Sequence, residues 1–231
     1  MLRVGLTGGL GSGKSTVAQI LRELGAEVSE SDDVGRALME PGQPVYQEIL
    51  RVFGPEMAGP DGRLDRAQLA QAAFAGGRLH ELNAIVHPAV IEAQRRWMLD
   101  VFARDPAAVA VVVSALIFEV ERDARARGEQ DSVMSDWRRR IDRVVVVTAP
   151  DEIKIARYVN RLGLSSVERE KATADARARL AHQVPDEVKA ARADYVLENT
   201  GDKALLRAQV ADLWRRLRTE SNKLPQDESL E

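Results

Sequence analysis

The stretch Gly8-Gly9-Leu10-Gly11-Ser12-Gly13-Lys14-Ser15 restricts this chain more than any other feature, because it satisfies G-x-x-x-x-G-K-[ST], the pattern of a phosphate-binding loop. Glycines let the backbone curl close around an anion, so that successive N–H groups point at its oxygens. The helix that follows adds the partial positive charge of its N-terminus. The lysine reaches the β- and γ-phosphates of a nucleotide, and the hydroxyl after it suits a magnesium ion. With glycine at about 7% of residues, an accidental match arises in on the order of one chain in a hundred of this length. Context therefore decides. The apolar run Leu2 to Thr7 precedes the loop and reads as a buried strand. Val17, Ile20, Leu21 and Leu24 follow it at helical spacing, with Gly25 as the stop. Strand, loop and helix in that order predict a site for a nucleoside triphosphate. Gly8, Gly9, Gly11, Ser12, Gly13 and Lys14 line it, and Ser15 is the candidate magnesium ligand.

The rest of the chain alternates in the same sense. Glu27 to Ser31 reads as a short second strand with Asp32 and Asp33 at its end. From Val34 to about Arg104 the pattern is helical, broken by PGQP and by GPEMAGPDGR. Ala107 to Phe118 is the most continuous apolar run and reads as a central strand flowing into a turn; Arg143 to Thr148 reads as another buried strand. Residues 151–192 are helical and rich in arginine, 193–197 form a last strand, and a helix covers about 205–217. Strands alternating with helices predict an α/β fold, a P-loop parallel sheet flanked by helices. The expected organisation is a nucleotide-binding core of residues 1–33 and 105–220 and a helical subdomain of 34–104 that walls an acceptor. Within the core, about 157–185 forms an arginine-bearing lid, and a frayed polar tail covers 221–231. The highly charged stretch 121–140 has no apolar stripe and reads as a peripheral insert, a solvated helix or loop.

Composition excludes several functions. The chain carries 33 basic and 36 acidic residues among 231, a net charge of −3, so it has no electrostatic footprint for a polyanion and nucleic acid is not expected as a partner. It has no cysteine, which removes disulfides, thiolate metal sites and a cysteine nucleophile. The N-terminus lacks an export-signal pattern and no apolar run reaches membrane-span length, so the expected location is cytoplasmic. Lys14 is the only lysine in the first 153 residues of an arginine-rich chain. Codon usage accounts for such a bias, and so does a site that needs a compact point charge.

A phosphate-binding loop does not fix a reaction. A guanine-reading N-K-x-D segment is absent, which removes a GTPase switch, and Glu119 offers the acidic residue of a motor ATPase only after a long turn. A phosphotransferase needs an acceptor pocket, a base near the acceptor and mobile arginines over the donor phosphates. Arg157 and Arg161, at i, i+4 spacing, either swing onto the phosphates or form a solvated helix face. The acidic cluster Glu27, Glu30, Asp32 and Asp33 supplies the base. On a strand, alternate residues share a face, so the side toward the loop holds either the Glu30/Asp32 pair or Asp33. Asp33 also suits the cap of the next helix.

These segments together resemble the dephospho-coenzyme A kinases, over roughly residues 2–202. The matching runs are GLTGGLGSGKSTVA, ESDDVGR, PDGRLDRAQL, LNAIVHPAV, ALIFE, RVVVVTAP, RLAHQVP and ADYVLENTG, in that order. The resemblance implies transfer of the ATP γ-phosphate to the ribose 3′-hydroxyl of dephospho-CoA, with magnesium, giving CoA and ADP. It implies that Gly8 to Thr16 bind the ATP phosphates, that Lys14 acts on the transferring group and that Asp32 is the base. It places Arg36 and His87 on the acceptor side, Arg157 and Arg161 in the lid, and Asn199 and Gly201 near the adenine. Read without the resemblance, His87-Pro88 is a helix start. Glu30 stands where the family often has aspartate, Ala115 replaces a proline, and 121–140 is longer than the usual connection. A nucleoside-monophosphate-type kinase and a nucleotide-dependent binding switch are the alternatives, and the oligomeric state is open.

Overall fold

The computed structural model describes residues 1–163 and 165–223. Its strands Leu2–Gly8 (β1), Glu27–Glu30 (β2), Val109–Val113 (β3), Arg143–Thr148 (β4) and Tyr195–Glu198 (β5) form one sheet in the order β2-β3-β1-β4-β5. β1 runs parallel to β3 and to β4, and β4 to β5; Leu6 lies opposite Val113 on one side and Val145 on the other. The order of strands reverses at β1, and ligands of open parallel sheets bind in the crevice beyond the strand ends at such a point. The phosphate-binding loop leaves β1 there.

The helices are Lys14–Glu23 (α1), Ser31–Leu38 (α2), Pro44–Phe53 (α3), Arg66–Ala70 (α4) and Leu79–Arg104 (α5) in the first part of the chain. Ile117–Ala126 (α6), Asp151–Arg161 (α7), Ser166–His182 (α8), Asp186–Ala191 (α9) and Lys203–Ser221 (α10) follow. The central strands are buried on both faces, which is why they read as unbroken apolar runs. On one face Val4, Leu6, Val111 and Val145 pack under α1 and α10 through Val17, Leu21, Leu206 and Leu213. On the other, Val144 and Val146 meet Ile117, Phe118, Trp137 and Ile141. Gly5 of β1 has no side chain because those neighbours fill its place: a Cβ there would lie 2.8 Å from Ile117 Cδ1 and from Ile141 Cδ1.

Two compact units divide the described residues. Glu30–Trp97 forms one, and the chain on either side of it forms the other, which holds most of the sheet. The Glu30–Trp97 unit has its own core of Val45, Ile49, Phe53, Met57 and Leu69. Within it α2 lies on α5. Gly35 faces Val86 and Val90, and the buried Gln94 donates to Ser31 Oγ at 3.1 Å.

Several expectations are corrected. β2 ends at Glu30 and α2 starts at Ser31, so Asp32 and Asp33 stand in the first turn of a helix and not at a strand end. Carboxylates are favoured there by the helix dipole, and strand alternation no longer sorts them. The cap position is Glu30, without a side-chain cap bond; Asp33 instead pairs with Arg36 at 2.6 Å. β3 lies inside the sheet between β2 and β1 but stops at Val113, because Ile117 and Phe118 belong to the buried first turn of α6. A short apolar run does not distinguish strand from buried helix. Pro88 lies inside α5, well after its start at Leu79, so His87-Pro88 is not a helix start. Ser221 still belongs to α10 and donates to the Ala107 carbonyl at 2.9 Å, so the expected tail of 221–231 begins too early. Residues 224–231 of that tail lie outside the described residues.

The stretch 121–140 is not peripheral. Glu121, Ala124, Met134 and Trp137 in it are buried, and Trp137 is only 1% exposed. Its ring stands edge-on to Phe118 at 5.9 Å between centroids. These residues escape a search for periodicity because a loop separates α6 from the short helical turn Trp137–Arg139, and no single period spans both.

Candidate active site

Loop residues 8–13 connect β1 to α1, and their shape is set by what lies directly behind them. Gly13, with φ at +103°, caps α1; a Cβ there would fall 2.1 Å from Asn199 Nδ2. Gly11, with φ at +73°, would place a Cβ 2.2 Å from the Lys154 carbonyl oxygen. Both positions need glycine for conformation and for space. The Thr16 and Val17 N–H groups already donate to the Gly13 carbonyl, which turns the loop into the helix. Lys14 folds its side chain back along the loop and donates to the Gly8 and Gly9 carbonyls at 2.9 and 3.0 Å. Its charge therefore lies where the loop curls, next to the space a phosphate would take. Two buried hydroxyls near the loop, Thr7 Oγ1 and Ser12 Oγ, have no hydrogen-bond partner. A buried unsatisfied hydroxyl is costly, and phosphate oxygens offer acceptors. Ser15 and Thr16 are exposed on the first turn of α1.

Side chains from α7 and from the turn after β5 brace the loop. Asn199 is buried and donates from Nδ2 to the Ser12 carbonyl at 2.8 Å. Arg157 donates to Asn199 Oδ1 at 3.0 Å and reaches the Ser12 carbonyl at 3.4 Å. The two candidate lid arginines are thus not equivalent. Arg157 is tied to the loop, while Arg161, at the exposed end of α7, lies over the Tyr158 ring with 5.8 Å to its centroid. α7 and α8 form a hairpin closed by Tyr158, Val159, Ala172 and Ala176, and the Tyr158 hydroxyl donates to Asp175. Burial and that carboxylate push the Tyr158 phenol up from its ordinary value. Gly201, at φ +127°, completes the turn after Asn199.

In the Glu30–Trp97 unit, Asp32 is exposed in the first turn of α2, and Arg36 is engaged by Asp33. His87 is half-buried in the middle of α5. The structure therefore brings Lys14, Asn199 and Arg157 together around one loop, and holds Asp32, Arg36 and His87 in a second compact unit.

Three participants escaped sequence reading. Lys154, on α7, is buried against the loop and pairs with Asp151 at 2.7 Å and Asp186 at 2.8 Å. Gln183 accepts the Leu10 N–H at 3.0 Å. Lys189 is fully buried and pairs with Glu119 at 2.8 Å, while the same Glu119 oxygen accepts the Val184 N–H. Glu119 is therefore a clamp between α6 and the segment entering α9. The rarity of lysine that drew attention to Lys14 was a usable signal for Lys154 and Lys189 as well. The lysines at 171, 203 and 223 are exposed, whereas 154 and 189 are buried.

Among the described residues no cluster of three or more His, Cys, Asp or Glu could cage a metal ion, and no helix is long and apolar enough to cross a membrane.

Comparison with known proteins points one way. The dephospho-CoA kinase family model matches residues 2–129 and 132–204. A curated dephospho-CoA kinase of Corynebacterium diphtheriae is 38% identical over 218 residues, covering 94% of this chain and 98% of its own. Among solved structures, TT1252 from Thermus thermophilus superposes with a TM-score of 0.67 at 36% identity, over 93% of this chain and 97% of that one. The dephospho-CoA kinase from Campylobacter jejuni gives 0.62 at 20% identity, over 94% and 97%, which supports the fold. The family match covers the loop, the braces behind it and the whole Glu30–Trp97 unit, and on that extent the chain belongs to the dephospho-CoA kinase family.

Proposed function

We propose that this chain transfers the γ-phosphate of ATP to the ribose 3′-hydroxyl of dephospho-CoA, releasing CoA and ADP, in the cytoplasm. One observation carries the choice of acceptor: the family match continues past the phosphate loop through residues 30–97, which a generic nucleotide-binding loop would not require. In this reading the loop N–H groups and Lys14 hold the β- and γ-phosphates and follow the negative charge as the phosphoryl group moves. Asp32 accepts the proton of the 3′-hydroxyl. The new bond joins that oxygen to the γ-phosphorus, and the bond to the β,γ-bridging oxygen breaks as ADP leaves. Arg36 and His87 bind the acceptor, and Asn199 and Gly201 border the adenine. Thr16 closes the phosphate site from the helix side. Arg157 keeps the loop in shape while Arg161, exposed at the end of α7, engages the phosphates on lid closure.

The residues present fit a magnesium ion. Magnesium in phosphoryl-transfer sites keeps several waters and takes its remaining ligands from substrate phosphate and one or two protein oxygens, so no cage is needed. Ser15 is exposed at the start of α1 with its hydroxyl available for that role. When bound, the ion neutralises developing charge on the phosphate oxygens.

ATP consumption measured with dephospho-CoA, with AMP and with no acceptor tests the reading. Turnover with dephospho-CoA alone is expected. Turnover with AMP would indicate a nucleoside monophosphate kinase, and ATP binding without any turnover a binding switch.

A further inference from the structure

Lys154 is the most deeply buried cation beside the loop, with its side chain 5% exposed, and none of the roles assigned above uses it. Its ammonium lies between Asp186, itself only 12% exposed, and the largely solvated Asp151. Burial pushes the ammonium down, but hydrogen bonds to Asp151 and Asp186 outweigh it and hold the amine above its ordinary value, so it is charged. The paired side chains reach the loop at Gly9, and the Lys154 backbone meets it at Gly11. A Cβ on Gly9 would lie 3.2 Å from Asp186 Oδ1 and 3.3 Å from Lys154 Nζ, and a Cβ on Gly11 would lie 2.2 Å from the Lys154 carbonyl. Asp186 opens α9 three residues after Gln183, which takes the Leu10 N–H. One turn further along α7, Arg157 reaches the Ser12 carbonyl.

We propose that the Lys154–Asp186 pair is a positioning device for the phosphate loop: it locks α7 to the start of α9 behind Gly9 and Gly11 and so fixes the curvature that aims the loop N–H groups at the ATP phosphates. This rests on the reading of the loop as an ATP site. The physical argument is one of alternatives. Asp186 without Lys154 is a buried charge stripped of its partner, and Lys154 without Asp186 keeps only the largely solvated Asp151; both are unfavourable, whereas replacing Lys154 and Asp186 together with apolar groups is often neutral or stabilising. A Cβ at Gly9 would press on the paired side chains and one at Gly11 would run into the Lys154 backbone, so displacement of Lys154 and Asp186 is felt by the backbone that binds phosphate. Loop N–H groups contact phosphate before and during transfer, so their misalignment weakens ground-state and transition-state binding alike.

The test uses the full chain and measures ATP affinity directly by titration calorimetry with magnesium present, which needs no acceptor. In Lys154→Met with Asp186→Leu, the melting temperature is expected to stay at the parent value while the ATP Kd rises about tenfold. A purely structural pair would give parent melting temperature and parent Kd, and that result overturns the proposal. Should the double variant fail to fold, Asp186→Asn keeps the shape and one hydrogen bond while removing the charge. It is expected to raise Kd about threefold, and an unchanged Kd overturns the proposal equally. Absence of ATP binding by the parent chain would strike the nucleotide reading itself and is distinguished by the same titration.

Discussion

Lys14 donates to two carbonyls of its own loop, an arrangement that holds a compact cation where phosphate oxygens can replace those carbonyls as partners. In the proposed role, removing it takes a cation away from the transferring group. Lys14→Ala is expected to lower kcat by about 10²–10³-fold, the scale of one lost transition-state donor, as read by coupled ADP release. A kcat near the parent value would remove Lys14 from the chemistry. Asp32 and Asp33 are harder to separate, because the strand register that would have sorted them does not exist: both lie in the first turn of α2. What separates them is pairing. Asp33 is tied to Arg36 at 2.6 Å, whereas Asp32 makes no ion pair among the described residues. Asp32→Asn is expected to lower kcat by roughly 10²–10⁴-fold, the range of general-base catalysis, with ATP affinity retained. Asp33→Asn should cost little. Steady-state kinetics on the two variants decide it, and the opposite ranking would reassign the base.

At the scale of elements, the glycine-rich loop was legible because a fixed spacing, a strand before and a helix after are all local properties. Trp137 was not. Its partners come from two separate segments, Phe118 from α6 and Ile141, Val144 and Val146 from the stretch entering and forming β4, and the charge around it in sequence masked its burial. Truncating so large a buried ring leaves a cavity, so Trp137→Ala is expected to cost about 3–5 kcal/mol of stability. Urea denaturation measures this, and a loss below about 1 kcal/mol would return the stretch to the periphery. Excising Arg122–Trp137 should for the same reason destabilise the sheet. β5 is joined to α10 by Tyr195, which donates to Glu220, and Arg143 of β4 pairs with the same carboxylate at 2.7 Å. Burial, then the Glu220 carboxylate, raise the Tyr195 phenol to about 12. A phenol that holds its proton more tightly folded than unfolded contributes stability below its unfolded value, about 10, and loses it as pH rises towards 12. Denaturation midpoints taken between pH 9 and 11.5 should fall more steeply in the parent than in Tyr195→Phe. Parallel curves would show that the phenol is not coupled to folding.

Across the whole molecule, a parallel sheet flanked by helices follows from the alternation of apolar runs with helical periods, whereas the strand order β2-β3-β1-β4-β5 depends on which strands pair and has no local signal in the sequence. The division into units did not follow so directly, since α5 runs from Leu79 to Arg104 while the compact unit closes at Trp97. A helix shared between units has no break in its sequence to mark the boundary. The chain's membership of the dephospho-CoA kinase family carries the reaction itself, transfer of phosphate to the ribose 3′-hydroxyl of dephospho-CoA. Phosphorus-31 spectroscopy of the reaction mixture tests this most directly, because it reports which bond has formed. With ATP, magnesium and dephospho-CoA, a ribose 3′-phosphate monoester resonance should appear in step with ADP. Growth of inorganic phosphate with ADP while dephospho-CoA stays unchanged would contradict the account.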